Sequence, residues 1–284
     1  SKPTFNNFPL LNGLSSSSIA KKYNINNSTS NYNDILNDSN IDTVFIVTRH
    51  DTHYSIVIDA MKAGKNIFVE KPLAINQNQL DKIIDNYKNY DGSITVGFNR
   101  RFSKLSIKAK ELIGEDNVPI NIVATMNAGY IDIDNWVHEL KIGGGRIIGE
   151  ACHYIDLCSY LTNSEVISVC MNSMGRQAKL NTDNASILLK YKNGSNAVIN
   201  YFSNGSKKYS KERIEIYTQG RNLIIDNWKK LIGKGFKRFN SLSTNQDKGH
   251  SNQYNLFIDC FKNKKTSIIS FNEIINTTKA SFGA

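Results

Sequence analysis

The sequence predicts an α/β protein: a parallel, doubly wound half-sheet, then an α+β part built on an open, mainly antiparallel sheet. Three observations lead there. Apolar strand-like runs alternate with helix-patterned segments through about residue 100. Several strand-like runs then follow one another after residue 165, and polar clusters sit just past the ends of the early strands.

With 284 residues the chain is long enough for two domains, read as 1–101 and 102–284. Apolar residues make up 40% and charged residues 21%, the balance of a soluble globular protein. No apolar run approaches the roughly 20 residues of a spanning helix and no signal-type segment opens the chain, so a cytoplasmic location with no membrane partner is expected. The first residue, Ser1, points to a processed, tagged or excised chain. The formal charge of +10 admits nucleic acid or an anionic ligand. Basic residues are dispersed, however, with small clusters only at Lys207-Lys208 and Lys229-Lys230, so a small anionic molecule is the more economical partner and no nucleic acid is expected. Cys152, Cys158, Cys170 and Cys260 have no C-x-x-C spacing, and three lie in apolar segments, as reduced core residues do.

Taken in order, Pro9 to Leu14 reads as a short strand, and Ser15 to Ser18 supply hydroxyls to cap a helix from about Ile19. Tyr32 to Leu36 makes a helical turn. Thr43 to Thr48 is apolar enough for a strand covered on both faces, and it runs into the polar cluster Arg49 to His53. A helix from Tyr54 to Ala63 stops at Gly64. The strand Ile67 to Val69, the helix Gln77 to Tyr87 and the strand Ser93 to Phe98 complete a parallel set with right-handed crossovers.

After Arg101 come a helix over Ser103 to Ile113, a strand over Val118 to Asn127, a loop holding Trp136 and His138, the run Gly143-Gly144-Gly145, and a helix from Glu150 to Leu161. Strands are read at Val166 to Met171, Ala185 to Tyr191, Asn196 to Ser203, Arg213 to Gln219 and Leu223 to Asp226, with Asn193-Gly194 as a hairpin turn. Helices over Ser251 to Phe261 and Phe271 to Ala280 finish the chain.

The chemistry gathers at strand ends. Parallel neighbours set their carboxyl ends side by side, so Thr48 to His53, Glu70-Lys71 and Asn99-Arg100-Arg101 should line one crevice. Pro72 cannot donate to a ladder and keeps Lys71 out of the αR region, so the strand stops with its lysine held extended as a proton donor or charge clamp. An ordinary surface turn is the competing reading. In the second part, His153 and Asp156 are three apart and share a helix face. A carboxylate-oriented histidine facing Lys71 would be a competent acid or base near neutral pH; a histidine satisfied by its own neighbour is the alternative. His50, His53 and Glu70 could ligate a metal, but without an i, i+4 pair or a cysteine no metal is expected.

Three motifs stand in a telling order: Glu70-Lys71-Pro72-Leu73-Ala74, the Thr48 to His53 run, and the glycine-rich run ending in His153-x-x-Asp156. Together they resemble the glucose-fructose oxidoreductase / inositol dehydrogenase / MocA family of nicotinamide-dependent oxidoreductases over nearly the whole chain. Their wording looks most like the branch fused behind a zinc-dependent alcohol-dehydrogenase-like module and associated with surface-polysaccharide sugar metabolism. The resemblance implies an incomplete Rossmann-type sheet followed by a substrate-binding and oligomerisation sheet, with a homodimer or homotetramer. It implies Lys71 beside the nicotinamide and the reacting hydroxyl, His153 as acid/base, and Thr48, His50, His53 and Glu70 along the cofactor crevice. Asn99, Arg100, Trp136, Glu150 and Asp156 become candidates for contact with a sugar, sugar nucleotide or cyclitol.

The chain departs from the family pattern at two places. Gly149 stands where the family carries an aspartate, with Glu150 about 100° around the helix from it. The opening strand and Gly-x-Gly-x-x-Gly turn are absent, which removes the main phosphate cradle. A fragment of a longer chain or the product of a truncated gene is therefore expected, with weak dinucleotide affinity unless the segment is supplied. A non-catalytic binding or regulatory role is the alternative function. The serines from Ser15 on, with no acid closing that strand, are compatible with NAD or NADP.

Overall fold

The computed structural model describes residues 7–9, 18, 20–114, 118–176, 179–262 and 267–284. The strand expected over Pro9 to Leu14 falls almost wholly outside them, and so does Ser15. What is described there is β1 (Asn7–Pro9), paired in parallel with β2 (Asn27–Thr29). The latter is too polar for hydrophobic patterning to reveal.

The first core forms around β3 (Thr43–Ile46), β4 (Asn66–Val69) and β5 (Ile94–Val96), parallel in that order. Parallel pairing requires a crossover between strands, supplied by α2 (His50–Lys62) and α3 (Gln77–Tyr87), which follow the short α1 (Asn33–Leu36). Buried Val57, Ala60 and Met61 on α2, with Leu80 and Ile83 on α3, pack against Ile67, Val69, Ile94 and Val96. Gly64, at φ +67°, ends the α2 segment, and Asn76 caps α3 by accepting from the Gln79 amide. One expectation needs correcting: His50 to His53 is the first turn of α2 and not a loop before it. Its side chains are polar, so the apolar periodicity of the rest of α2 does not extend into it.

The second sheet has eight strands in the order β13-β12-β11-β10-β6-β9-β8-β7. These are β6 (Asn121–Asn127), β7 (Val166–Ser173), β8 (Asn184–Tyr191), β9 (Asn196–Phe202), β10 (Glu212–Thr218), β11 (Arg221–Asp226), β12 (Lys230–Lys234) and β13 (Ser241–Ser243). Every neighbouring pair is antiparallel except β6 with β9. One face packs under α4 (Lys104–Ile113) and α5 (Cys152–Thr162), burying Ile122, Ala124, Ile187, Ile199, Ile214 and Ile216 against Leu105, Ile155 and Leu157. The other face leaves Leu188 and Tyr217 exposed. β12 and β13 escaped the sequence reading; both are short, lysines bracket β12, and the three-residue β13 forms the edge, where shortness limits further pairing. Cys170 also departs from expectation: Cys152 and Cys158 are buried, whereas Cys170 is exposed on edge strand β7.

The last two helices return to the first sheet. On α6 (His250–Lys262), Phe257 packs edge-on at 5.5 Å against both Phe45 and Phe68, and Gln253 donates to the Val96 carbonyl at 2.9 Å. α7 (Phe271–Phe282) opens with a Ser270–Glu273 capping box and stacks Phe271 on Tyr87. Between the sheets, Asn99–Phe102 forms a buried 3-10 turn. Among the described residues no helix is long and apolar enough to cross a membrane.

Candidate active site

The carboxyl ends of β3, β4 and β5 meet as expected for a parallel set. The Thr48 hydroxyl accepts from Thr52 at 2.7 Å, and the Thr48 carbonyl lies 3.1 Å from His53 Nε2. His53 Nδ1 lies 2.8 Å from the Pro72 carbonyl, so this buried ring spans two strand-end loops. Burial holds His53 below its ordinary pKa; a neutral imidazole has one N–H, so it donates to one of these carbonyls at a time. Glu70 lies against Gly97, where a Cβ would come within 2.9 Å of its Oε2. Burial raises the Glu70 carboxyl above its usual range, although Lys71 pulls the other way.

The glycine-rich run supplies the opposite wall through its backbone. Lys71 Nζ donates to the Gly149 carbonyl at 2.8 Å, and His50 Nδ1 lies 2.8 Å from the Gly143 carbonyl. Both approaches need glycine. A Cβ at Gly143 would lie 2.5 Å from the Val137 backbone, and one at Gly149 would lie 2.9 Å from His50 Cε1. Residues Ile147–Ala151 form a π-helical turn ahead of α5, a local feature frequent at functional sites, where the sequence suggested α-helix from Glu150. Trp136 packs edge-on against His50 at 4.9 Å, with the Arg49 guanidinium 5.6 Å above the indole. Burial pushes the His50 pKa down to about 4, and Lys71 and His53 add to that against the Gly143 carbonyl.

Glu150 turns toward β9. It accepts from Tyr201 Oη at 2.6 Å and from Arg146 at 3.3 Å. Burial alone would raise its pKa, but the Tyr201 hydroxyl and Arg146 outweigh it and keep the group anionic. Arg146, 1% exposed, also reaches the Gly129 carbonyl and Asp183.

His153 is buried, with its ring edge-on to Phe98 at 6.5 Å. Its Nδ1 has no hydrogen-bond partner among the described residues. Burial, then Arg100 and Lys71, hold its pKa well below the ordinary value, so the ring is neutral. The expectation that Asp156 orients this ring is corrected: Asp156 takes Arg101 Nε at 2.9 Å and Nη2 at 2.7 Å, and Arg101 continues to Glu273. Helix spacing alone could not show that Arg101 would fill the fourth side of that face. Burial lifts the Asp156 carboxyl to about 6 while Arg101 opposes the rise.

Asn99 and Arg100 stand behind His153. The Asn99 side chain accepts from Arg100 Nη1 at 3.0 Å and donates to the Lys248 carbonyl at 2.7 Å. Arg100 Nη2 reaches Glu212 at 3.4 Å; Lys248 Nζ reaches the same fully buried carboxylate at 2.6 Å, and Trp228 Nε1 also donates to it. Lys71 and His50 are therefore both held against the glycine-rich run, Trp136 packs on His50, Glu150 pairs with Tyr201 and Arg146 beyond that run, and Asp156 belongs to a separate ion pair. Sequence reasoning missed Glu212, Arg146, Tyr201, Lys248 and His250. Of these, only Lys248-Gly249-His250 carries a signal, a glycine between two ionisable residues.

Two sequence profiles cover most of this architecture. Residues 12–98 match an oxidoreductase family with an NAD-binding Rossmann fold, GFO/IDH/MocA, and residues 109–222 match the GFO/IDH/MocA C-terminal domain. The chain belongs to the GFO/IDH/MocA family. Its relatives in this family include the myo-inositol 2-dehydrogenase of Thermotoga maritima, 26% identical over 68% of this chain and 59% of that protein. The scyllo-inositol 2-dehydrogenase (NAD(+)) of Bacillus subtilis is 34% identical over 48% of this chain and 40% of that one. The chain thus spans about three fifths of the first relative's length or less. A levoglucosan dehydrogenase solved with NADH and levoglucosan has the same fold, with TM-score 0.85 and 19% identity over 99% of this chain and 87% of that one.

Proposed function

We propose that this GFO/IDH/MocA protein is an NAD(P)-dependent dehydrogenase that oxidises a CH–OH group of a sugar, sugar nucleotide or cyclitol. What supports this reading is a backbone-anchored Lys71 together with a buried, neutral His153 whose protonation Lys71 disfavours. Inositol and levoglucosan dehydrogenases among the relatives and structural neighbours point to the same substrate class.

The described residues fit the nicotinamide end of a dinucleotide. Gly97 leaves room beside Glu70, and the amino end of α2 begins at His50, just past Thr48. In this reading Thr48, His50, His53 and Glu70 border the nicotinamide, and Ser15 is a further cofactor-binding candidate. A bound nicotinamide supplies the hydride acceptor. Lys71 then donates to the reacting oxygen and stabilises its developing negative charge, while His153 takes the hydroxyl proton. Trp136 offers an apolar face to the sugar ring, Glu150 accepts from its hydroxyls, and Asn99 with Arg100 holds the wall behind His153. Residues 1–101 serve the cofactor and 102–284 the substrate, with the half-exposed sheet face as a surface for a homodimer or homotetramer.

Nicotinamide fluorescence during NADH and NADPH titrations, followed by turnover on a polyol panel, tests the reading. Binding of one cofactor with oxidation of at least one cyclic polyol is the expected result. Binding of neither, by this chain or by one extended upstream, would contradict it. The comparisons do not favour the alternative of a non-catalytic binding protein.

A further inference from the structure

The positive charge of the chain collects at one end of the second sheet. Lys207, Lys208, Lys211, Lys229 and Lys230 are all exposed, and none joins an ion pair among the described residues. They belong to two turns that flank Glu212, the first residue of β10. The turn between β9 and β10 is tied to the end of β6: the Asn127 amide donates to the Lys211 carbonyl at 2.8 Å, and Asn127 Nδ2 donates to the Ser206 carbonyl at 2.7 Å. The turn between β11 and β12 is tied to Glu212 itself, whose carbonyl accepts from the Asn227 amide at 2.8 Å.

The buried side of the same end also has an excess of positive charge. Arg100 and Lys248 lie 3.4 and 2.6 Å from Glu212, the one carboxylate that either meets among the described residues. Two cations on one carboxylate leave a positive charge unmatched, and a net charge withdrawn from water is costly without a counter-ion. Arg100, 7% exposed, keeps its Nε without a hydrogen-bond partner among the described residues. Lys248 is the member that opens outward: 23% of its side chain is exposed, and its contact with Glu212 leaves ammonium hydrogens over. The cluster adjoins the candidate active site through consecutive residues of α5, because the Arg100 guanidinium lies 5.9 Å from the Tyr154 ring and Phe98 lies 6.5 Å from the His153 ring. Two acids stand nearby and do not cancel the excess. Asp247 accepts from the Gly249 and Lys104 amides, and Asp226, opposite Lys230 in the β11–β12 pair, makes no ion pair among the described residues.

We propose that the substrate of this site carries an oxyanion, a carboxylate or a phosphate, besides its reacting hydroxyl, and that the lysine rim and Lys248 receive it. This rests on the dehydrogenase reading and narrows it, from polyols at large to acidic sugars, sugar phosphates and sugar nucleotides. An approaching anion is drawn first by the exposed lysines, whose field reaches about 10 Å at about 0.1 M salt, and then meets the unmatched charge at Lys248. A neutral polyol gains neither.

Calorimetric titration with glucose, glucuronate, glucose 6-phosphate and UDP-glucose, with and without saturating NADH, tests the proposal. At least one charged probe is expected to bind roughly tenfold tighter than glucose at low salt, with the preference shrinking as salt rises. The charged probe that leads tells carboxylate from phosphate. Combining Lys207→Gln, Lys208→Gln, Lys211→Gln and Lys229→Gln, all at exposed side chains, should remove most of that preference. Failure of every charged probe to outbind glucose, or a preference that survives the four substitutions, overturns the proposal. So does a loss of NADH affinity in that variant as large as the loss for the charged probe, which would assign the lysines to the cofactor. Turnover separates this test from that of the dehydrogenase reading. Charged probes that bind preferentially and are never oxidised would remove the dehydrogenase reading and leave the oxyanion site standing, whereas oxidation of glucose without any charge preference would do the reverse.

Discussion

His50 and His53 lie on the first turn of α2, and each has a backbone carbonyl 2.8 Å from Nδ1, that of Gly143 and that of Pro72. His153 is also buried, yet no described group meets its Nδ1. The first pair joins loops that would otherwise separate, and the glycine-rich wall is shaped around it. The unpartnered ring keeps an open nitrogen, and the base role proposed for His153 rests on that difference in partners, not on burial, which His53 shares with it.

The largest effect that sharpens this contrast is expected from His153→Asn. Turnover in NAD-linked oxidation should drop roughly 10²- to 10⁴-fold with cofactor affinity retained, because a general base is lost and a polar side chain of similar size remains. His50→Ala should lower turnover far less; equal losses would erase the distinction between the two histidines.

A smaller effect is expected at the contact between the walls. Gly149→Ala puts a methyl 2.9 Å from His50 Cε1, so the ring or the Gly149 carbonyl that anchors Lys71 has to shift. Turnover should fall roughly 10- to 100-fold, because a displacement of about 1 Å is costly in a positioned site. Adding His50→Ala opens the space and should recover part of the loss in a double-mutant cycle. Simple additivity would mean that the two walls do not share this contact.

The comparison extends to acid stability. Glu212 is fully buried, and although burial opposes ionisation, Arg100 and Lys248 hold its pKa down to about 2 from 4.5. Its contribution is present above pH 4.5 and is lost as pH falls from 4.5 toward 2, roughly 3 kcal/mol in all. His50 is shifted the same way in its effect: with a folded pKa of about 4 against 6.5, stability declines as pH falls from 6.5 to 4, because the unfolded chain binds the proton first. Urea unfolding at a series of pH values should show both windows, and Glu212→Gln should flatten the lower one. No change in that window would mean that the Glu212 network contributes little.

How much of this was legible depended on the kind of signal. The β3-α2-β4-α3-β5 order was readable because buried strands are continuously apolar and Gly64 marks a helix end. Lys71 and His153 stood out by their position at a strand end and after a glycine run. Glu212 did not, since one acid in an alternating strand looks like any surface residue until Arg100, Lys248 and Trp228 converge on it from distant parts of the chain. Asp156 misled for the complementary reason: its partner is 55 residues away in sequence.

The central claim concerns Lys71, anchored on the Gly149 carbonyl. Comparison of Lys71→Ala with the parent protein in turnover and in NADH affinity tests it most directly. The expected result is a loss of turnover far greater than any loss of NADH affinity, the mark of a group acting on the reacting oxygen. Equal losses in the two would show instead that Lys71 only positions the cofactor.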